Sequence, residues 1–182
     1  MRMKSQLEYR ILSRTEIDKL SQIDRTETVD NVYYMRDGNL VLEKEHWDVS
    51  EWSLSQQQQL ITDLRQIYDK GATFFGAIDG DTLAGMSVLD HNPINSGVDR
   101  LNLAGLWVSN KYRRQAVGKK LTSLAIQEAH TREARILYVS ATPSENTIRF
   151  YTSLGFQLAD PVDPVLFKEE PEDIHLELIL EK

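Results

Sequence analysis

The residues best suited to chemistry lie in one run, where basic side chains surround the start of a predicted helix. Residues 108–120 read Val-Ser-Asn-Lys-Tyr-Arg-Arg-Gln-Ala-Val-Gly-Lys-Lys, so an apolar strand ends, the chain turns and a helix begins. The first turn of a helix leaves about four backbone N–H groups unpaired and carries a partial positive charge. Ala116 and Gly118 are small enough for a diphosphate to approach the backbone.

The charges in this run favour an anion as the ligand. Basic side chains at a helix N-terminus oppose the helix dipole, so helix stability does not explain them. They are Arg113, Arg114, Lys119 and Lys120. A Walker A loop would need Gly at position 113 and Ser or Thr at position 120, and a dinucleotide fingerprint would need three spaced glycines. The run therefore indicates a phosphate site of another kind, with a solvated basic turn as the alternative.

A second group of polar and aromatic residues follows one predicted strand later. Residues 146–156 pair an Asn with a Phe-Tyr-x-x-x-Gly-Phe pattern. This segment resembles motif B of the GCN5-related N-acetyltransferase (GNAT) superfamily. The run 112–121 resembles motif A of the same superfamily, Arg/Gln-x-x-Gly-x-Gly/Ala, with Arg113 in the first position and Gly118 in the last. The resemblance follows the order of elements over about residues 7–180, and its motifs lie within about 100–160.

The resemblance implies acetyl-coenzyme A as co-substrate and an amine as acceptor. The family's phosphate-binding positions fall on Arg113, Arg114, Gln115, Ala116, Val117, Gly118 and Lys119. Strand 101–108 would splay from its parallel neighbour, so that backbone groups near Leu106 and Val108 bind the pantetheine arm and the thioester. Asn146 would hydrogen-bond the arm, with an ordinary role in the first turn of its helix as the alternative. Arg149 would reach a phosphate or, as the alternative, be solvated.

Tyr151 is the predicted catalytic acid. Acyl transfer from a thioester to an amine needs a neutral amine, a stabilised oxyanion and a proton for the departing thiolate. A phenol with a pKa near 10 can protonate a thiolate whose conjugate acid has a pKa of about 8.5, a modestly uphill step within a hydrogen bond. The alternative for Tyr151 is a core aromatic beside Phe150.

Two positions depart from motif A, because Ala116 replaces its first Gly and Asn110 stands where Pro is usual. A positive φ at position 116 would cost alanine about 1 kcal/mol. We expect Ala116 to be helical instead, since it begins the apolar period of the helix.

The general base is open. The family often places a Glu on the strand that corresponds to residues 101–108, and no acid lies there. A water chain is one alternative, and the side-chain candidates are Asp90, His91, Asp99, Glu45 and His46. The four histidines lack metal-ligand spacing and there is no cysteine, so no metal is expected.

Acceptor selection is predicted to lie in residues 27–52. Acidic residues there outnumber basic ones and alternate with Tyr33, Tyr34, Trp47 and Trp52. Acids among aromatics suit a small cationic amine, by ion pairing and cation–π contact. A hydrated hairpin with a small aromatic cluster is the alternative.

The remaining pattern predicts one domain over residues 1–182, with its core motifs in about 72–180. Capping boxes at Ser13 and Ser53 begin helices, Asp37-Gly38 and Asp79-Gly80 begin hairpins, and residues 91–100 form a loop. The strand 101–108 should be buried on both faces, and the crossover that joins it to strand 135–140 should be parallel and right-handed. The fold class is α/β (mixed α+β): a mostly antiparallel sheet with one parallel strand pair and helices on both faces.

The composition limits the partners, the location and the classes of function that are expected. The net charge is −7 and argues against a nucleic-acid partner. No apolar run suggests a membrane span or a signal peptide, so a cytoplasmic enzyme is expected. A homodimer is left open. Two rivals to an enzyme also stay open: a sensor that binds coenzyme A without turnover, and an interaction domain without a cofactor.

Overall fold

The computed structural model describes residues 7–92, 94 and 99–180. The described residues form nine strands: β1 (Glu8–Ile11), β2 (Glu27–Arg36), β3 (Asn39–Val49), β4 (Thr73–Asp79), β5 (Thr82–Asp90), β6 (Arg100–Val108), β7 (Ile136–Ala141), β8 (Gln157–Leu158) and β9 (Ile174–Ile179). They also form four α-helices: α1 (Leu54–Asp69), α2 (Val117–Thr131), α3 (Glu145–Ser153) and α4 (Pro164–Glu169). The loop predicted over residues 91–100 lies partly outside the described residues.

Seven strands make one mixed sheet, in the order β1-β4-β5-β6-β7-β9-β8. All neighbouring strands in it are antiparallel except β6 and β7, which are parallel and are joined through α2. The predicted fold class is confirmed, including the single parallel pair.

The hairpin of β2 and β3 forms a separate two-stranded sheet. Its turn is the predicted Asp37-Gly38, and both residues have positive φ, 49° and 79°. The hairpin leans on the end of β7, because the N–H of Tyr33 donates to the carbonyl of Pro143 at 2.8 Å. The segment predicted to select the acceptor is therefore attached beside the parallel strand pair.

Helix starts follow the predicted caps. Ser53 and Gln56 form a reciprocal capping box at the start of α1. Ser13 and Glu16 form another, but the helix that follows, Arg14–Gln22, is a 3-10 helix. The short helix α4 was not predicted, although Asp163 caps it with two hydrogen bonds and Pro164 occupies its first turn.

Two apolar clusters cover the two faces of the main sheet. One joins α2 and α3 to the sheet through Leu121, Ala125, Leu137, Ile148 and Leu176. The other joins α1 and the 3-10 helix to the opposite face through Ile17, Leu20, Leu64, Phe74 and Met86. The expectation that β6 is buried on both faces is wrong for its second half: Leu101 and Leu103 are buried, whereas residues 104–108 are only partly buried.

No helix among the described residues is long and apolar enough to cross a bilayer.

Candidate active site

The strands β6 and β7 separate soon after they meet. Their parallel pairing covers only residues 100–102 of β6 and 136–138 of β7. Beyond Asn102, β6 has no strand partner on the β7 side among the described residues. A β-bulge lies at Ala104, since Leu103 pairs with Leu89 and Gly105 pairs with Val88. The result is a V-shaped split, defined here as the space between residues 103–108 and the end of β7.

Backbone groups of β6 face this split. The N–H of Ser109 donates to the carbonyl of Ala84 at 2.9 Å, so these two residues form a hydrogen-bonded pair of the β5–β6 ladder. Bonded and non-bonded pairs alternate along an antiparallel ladder, and the pairs that contain Val108 and Leu106 are therefore non-bonded. The peptide groups of Leu106 and Val108 thus point away from β5.

The turn after β6 is built differently from the expectation at position 116. Ala116 is the N-cap of α2 and is left-handed, with φ 62° and ψ 10°, so the prediction that it is helical is wrong. The helix begins one residue later, because the carbonyl of Ala116 accepts the first helical hydrogen bond, from the N–H of Lys120 at 3.0 Å. Arg114 is also left-handed, with φ 57°. The two left-handed residues turn the chain sharply into the start of α2, whose first N–H groups lack partners within the helix.

The cations around these N–H groups are available to a ligand. Arg114, Lys119 and Lys120 are exposed, and none of them lies within 4.0 Å of a carboxylate in the described part of the chain. Gln115 folds back on the turn, where its side-chain amide donates to the carbonyl of Lys111 at 2.8 Å. Free N–H groups with unpaired cations beside them fit a diphosphate group.

Arg113 has a different environment from these cations. Its guanidinium donates to the carbonyls of Val108, Thr26 and Arg25, at 3.0, 2.9 and 3.0 Å. It also lies 3.8 Å from the carboxylate of Glu27. Arg113 thereby fixes the end of β6 against the segment that leads into β2.

Gly118 brings α2 and α3 close together. A Cβ atom at this position would lie 3.4 Å from the ring of Phe150 and 3.6 Å from Val108. A Cβ atom alone would fit there in ordinary van der Waals contact, whereas a longer side chain would fill the space at the first turn of α2.

Tyr151 is buried on α3 at 5% exposure. Its ring makes edge contacts with Phe150 and Phe156, at centroid distances of 5.1 and 5.2 Å. Burial raises the pKa of the Tyr151 hydroxyl, which keeps it protonated at neutral pH. Within the described residues this hydroxyl has no hydrogen-bond partner, and since it is not one of the fully buried unpaired atoms it keeps some contact with solvent.

The other two candidates on α3 are exposed. Asn146 donates from its side-chain amide to Glu27 at 3.1 Å. Arg149 is paired with Glu145 one turn earlier, at 2.8 Å. Glu27 therefore bridges Arg113, in the turn before α2, and Asn146, on α3. Sequence reasoning placed Glu27 in the acceptor segment but missed this bridge.

The base candidates are scattered, and each has a partner; that of Asp90 is Asn92, whose backbone N–H and side-chain amide both donate to its carboxylate. Asp99 lies 3.8 Å from Arg135, Glu45 accepts from Tyr34, and His46 lies 2.7 Å from Asp30. His91 is bonded to Thr73 at 3.0 Å, and burial lowers its pKa. Asp90 is the candidate nearest the split in register, directly opposite Asn102 on β5 and β6.

The acids of the hairpin mostly face their own partner strand. Glu43 pairs with Arg36 at 3.1 Å, and Asp48 accepts from Thr28 at 2.8 Å. Trp52 lies three residues after the end of β3 and packs edge-on against Trp107 of β6, with ring centroids 6.4 Å apart.

A pocket of about 320 Å³ lies between β2 and the segment from β8 to β9. Its walls combine aromatic rings with two carboxylates: Tyr33, Tyr34, Phe167, His175, Glu172 and Asp173. Burial, with a smaller contribution from Glu170, raises the pKa of Asp173 to about 6. The pocket adjoins the end of β7, because Ile174 pairs with Ala141 there.

A smaller cavity of about 100 Å³ lies between β2 and the start of α3, and Asn146 lines it. Among the described residues, no group of three or more His, Cys, Asp or Glu side chains is arranged to hold a metal ion.

Comparison with known proteins gives one family and one fold. The model of the acetyltransferase (GNAT) family matches residues 39–156. No curated protein matches the sequence. Nourseothricin acetyltransferase is 19% identical, with a TM-score of 0.73 over 96% of this chain and 99% of that one.

Two further solved structures share the fold. A candidate streptothricin acetyltransferase from Bacillus anthracis, in complex with acetyl-coenzyme A, is 18% identical, with a TM-score of 0.71 over 97% of this chain and 99% of that one. The ribosomal-protein-S18-alanine N-acetyltransferase from Escherichia coli is 17% identical, with a TM-score of 0.63 over 97% and 96%.

Proposed function

We propose, from the premise that this chain belongs to the acetyltransferase (GNAT) family, that it transfers the acetyl group of acetyl-coenzyme A to the primary amine of a small cationic acceptor. The observation that carries the proposal is the V-shaped split between β6 and β7, which opens directly before the basic turn of α2. A thioester arm can lie in the split while its diphosphate lies on the turn. The family makes the chain an acyl-coenzyme A-dependent N-acetyltransferase; the acceptor and the roles of single residues are our proposal.

The cofactor-binding surface has a backbone part and a charged part. The N–H groups of Val117, Gly118 and Lys119 bind the diphosphate, and the left-handed Ala116 directs them toward it. Arg114 and Lys119 neutralise its charge, and Gln115 stabilises the turn. Arg113 acts by holding the end of β6 in position, because its guanidinium donates hydrogen bonds to three carbonyls.

The pantetheine arm then follows β6. The peptide groups of Leu106 and Val108 bind the arm as a neighbouring strand would, because they have no partner on that side among the described residues. The side chain of Asn146 exchanges its bond with Glu27 for one to the arm. Arg149, paired with Glu145, reaches a phosphate by releasing that exposed pair, whose rupture costs little.

Transfer takes place by direct attack in a ternary complex. The chain has no cysteine, so no thiolate is available to form an acyl-enzyme. The amine nitrogen forms a bond to the thioester carbonyl carbon, and the carbon–sulfur bond breaks. One proton leaves the nitrogen for a base, and one proton reaches the departing sulfur.

Tyr151 supplies the proton for the sulfur. Its hydroxyl is protonated at the pH where the amine is attacked, and its ring is held between Phe150 and Phe156. Because burial raises its pKa, the transfer to the thiolate is more uphill than from an exposed phenol. A hydroxyl without a protein partner in the described chain is free to donate to the thiolate. Tyr151 recovers its proton from solvent when free coenzyme A leaves.

The pocket beside β2 selects the acceptor. Tyr33 and Tyr34 offer aromatic faces, and Glu172 and Asp173 offer negative charge, which together suit a cationic amine. Glu43, Glu45 and Asp48, which are acids of the segment 27–52 predicted to select the acceptor, already have partners on β2, so the pocket carboxylates take the larger part. The hairpin forms one wall of the pocket and keeps its role in selection.

A coenzyme A sensor without turnover is the second candidate. It is favoured by the strained alanine at the helix N-cap and by the lack of an acid on β6. The intact Asn146 and Tyr151 favour the enzyme.

A panel of amines, followed by free-thiol release from acetyl-coenzyme A, tests the proposal. The panel includes a polyamine, streptothricin, an alanine-terminal peptide and an anionic amino acid. We expect the cationic amines to release thiol in proportion to acetylated product. Binding of acetyl-coenzyme A without acetylation of any amine would favour the sensor, and preference for the anionic amine would contradict the proposed acceptor class.

A further inference from the structure

We propose that the side-chain oxygen of Asn102 accepts a hydrogen bond from the acceptor amine and holds the amine in position for attack. This inference rests on the proposed function and adds a positioning residue to it. It concerns a residue that neither motif contains.

The first observation is an unpaired buried atom. Oδ1 of Asn102 is buried and has no hydrogen-bond partner. Buried polar atoms are nearly always paired, because leaving one unpaired costs the free energy of its lost hydration. The other such side-chain atom found among the described residues is Nε of Arg65, whose guanidinium still binds Asp18 through Nη2. Asn102 is therefore unusual, and an external donor would account for it.

The second observation is where Asn102 lies along β6. It is the last β6 residue paired with β7, opposite Tyr138, and the V-shaped split begins immediately after it. The bulge at Ala104 follows two residues later. A side chain at the apex of the split lies at the inner end of the space that we assign to the thioester.

The third observation is the face on which the side chain lies. Leu101 and Leu103, the neighbours of Asn102 in sequence, belong to the core cluster under α2. Successive side chains of a strand alternate between faces, so Asn102 points to the face opposite α2. The diphosphate turn belongs to α2, and the amine must attack from a side that the cofactor does not cover. Asn102 lies on that side.

The chemistry of an amide oxygen suits this role. It accepts an N–H hydrogen bond but does not take the proton at neutral pH, so it orients the amine and leaves deprotonation to another group. Asp90, which faces Asn102 across the β5–β6 ladder, is the nearest acid in register for that task.

Two variants of Asn102 test the inference in the full-length chain. Asn102→Leu removes the oxygen and keeps much of the volume, and Asn102→Asp keeps an acceptor oxygen. For Asn102→Leu we expect a melting temperature equal to or above that of the parent, since an unpaired buried atom is lost. The KM for the best amine of the panel should rise about tenfold, as for the loss of one hydrogen bond, with an unchanged Kd for acetyl-coenzyme A. Asn102→Asp should recover the amine KM and add an ionisation to the pH profile of kcat/KM.

Calorimetric titration of the amine into the protein with free coenzyme A gives a readout that does not depend on turnover. Asn102→Leu should weaken this binding by the same factor as KM. An unchanged amine affinity in Asn102→Leu would overturn the inference, as would a raised KM that Asn102→Asp does not restore. A parent chain that acetylates no amine would count against the proposed function itself, whereas an active parent with an indifferent Asn102 would count only against this inference.

Discussion

The side-chain amide of Asn146, on α3, donates a 3.1 Å hydrogen bond to the carboxylate of Glu27, at the start of β2. The two residues are 119 positions apart, and their bond joins the second family motif to the hairpin that forms one wall of the pocket beside β2. The same carboxylate lies 3.8 Å from Arg113. Glu27 thus lies between the part of the site assigned to the cofactor and the part assigned to the acceptor.

Asn146→Ala should weaken acetyl-coenzyme A binding about tenfold, because one hydrogen bond to the cofactor arm is lost. The free energy of unfolding should change by less than about 0.5 kcal/mol, since Asn146 is exposed. Asn31→Ala is the matched control: Asn31 bonds Glu145 across the same hairpin–helix contact, at 2.7 Å, and lies outside the motif. Equal Kd values for the two variants, by isothermal titration calorimetry, would contradict the assignment of Asn146.

Gly118→Asp should abolish stabilisation of the chain by acetyl-coenzyme A. The parent should gain about 2.7 kcal/mol at a ligand concentration 100 times its Kd. An aspartate at position 118 places a negative charge at the diphosphate and a side chain against Phe150. Gln127→Asp adds the same charge on an exposed part of α2, about 14 Å along the helix, and should respond like the parent. Thermal-shift curves measure both, and a full shift in Gly118→Asp would place the phosphate site elsewhere.

Ala116→Gly should stabilise the chain. A left-handed alanine costs about 1–2 kcal/mol, and glycine returns part of that gain through the entropy of the unfolded chain, which leaves about 0.5–1 kcal/mol. Ala125→Gly, in the interior of the same helix, should lose about 1 kcal/mol or more. Urea unfolding separates the two. A loss of stability in Ala116→Gly would mean that the residue is not left-handed in solution.

Asp173 should make stability and acceptor binding depend on pH. Its pKa of about 6 in the folded chain lies above its ordinary value of 3.8, so the folded chain binds the proton more tightly. The free energy of unfolding therefore falls as pH rises from about 4 through 6, and Asp173→Asn lacks this fall. Because the carboxylate is partly exposed, the difference at pH 7 should be on the order of 1 kcal/mol.

The same ionisation should strengthen binding of a cationic acceptor above pH 6. Asp173→Asn should remove this rise in affinity, whereas converting Glu43, Glu45 and Asp48 to their amides should weaken binding only through the overall field, and more at low salt. Acceptor KM values from pH 5 to 8 test this. If the amide substitutions at Glu43, Glu45 and Asp48 had the larger effect on KM, the acceptor would bind at β3 and not in the pocket beside β2.

The local features of this molecule could be predicted from its sequence, whereas contacts between residues far apart in the sequence could not. The capping box at Ser53, the turn at Asp37-Gly38 and the separation of β6 from β7 follow from residue pattern and family resemblance. The left-handed conformation of Ala116 was missed because an apolar period places a residue on a helix face but cannot distinguish the N-cap from the first turn.

The bridge from Glu27 to Asn146 and the pocket beside β2 could not be predicted from local pattern. Each depends on how the hairpin docks on the end of β7, and that docking is fixed by contacts between residues more than 100 positions apart, such as Tyr33 with Pro143. Two of the three carbonyl partners of Arg113, Thr26 and Arg25, are likewise distant in the sequence, 87 and 88 positions away.

The most direct test of the central claim, that the split presents a thioester to Tyr151, is the single-turnover rate of acetyl transfer in Tyr151→Phe. This variant loses one hydroxyl and keeps the ring between Phe150 and Phe156, so its stability and its Kd for acetyl-coenzyme A should stay close to those of the parent. Tyr68→Phe, on the opposite face of the sheet beside Phe74, is the control. We predict that Tyr151→Phe slows transfer about 10²- to 10⁴-fold, the usual contribution of a general acid, while Tyr68→Phe has no effect. A transfer rate within about twofold of the parent, measured before product release, would contradict the account and remove Tyr151 from the reaction.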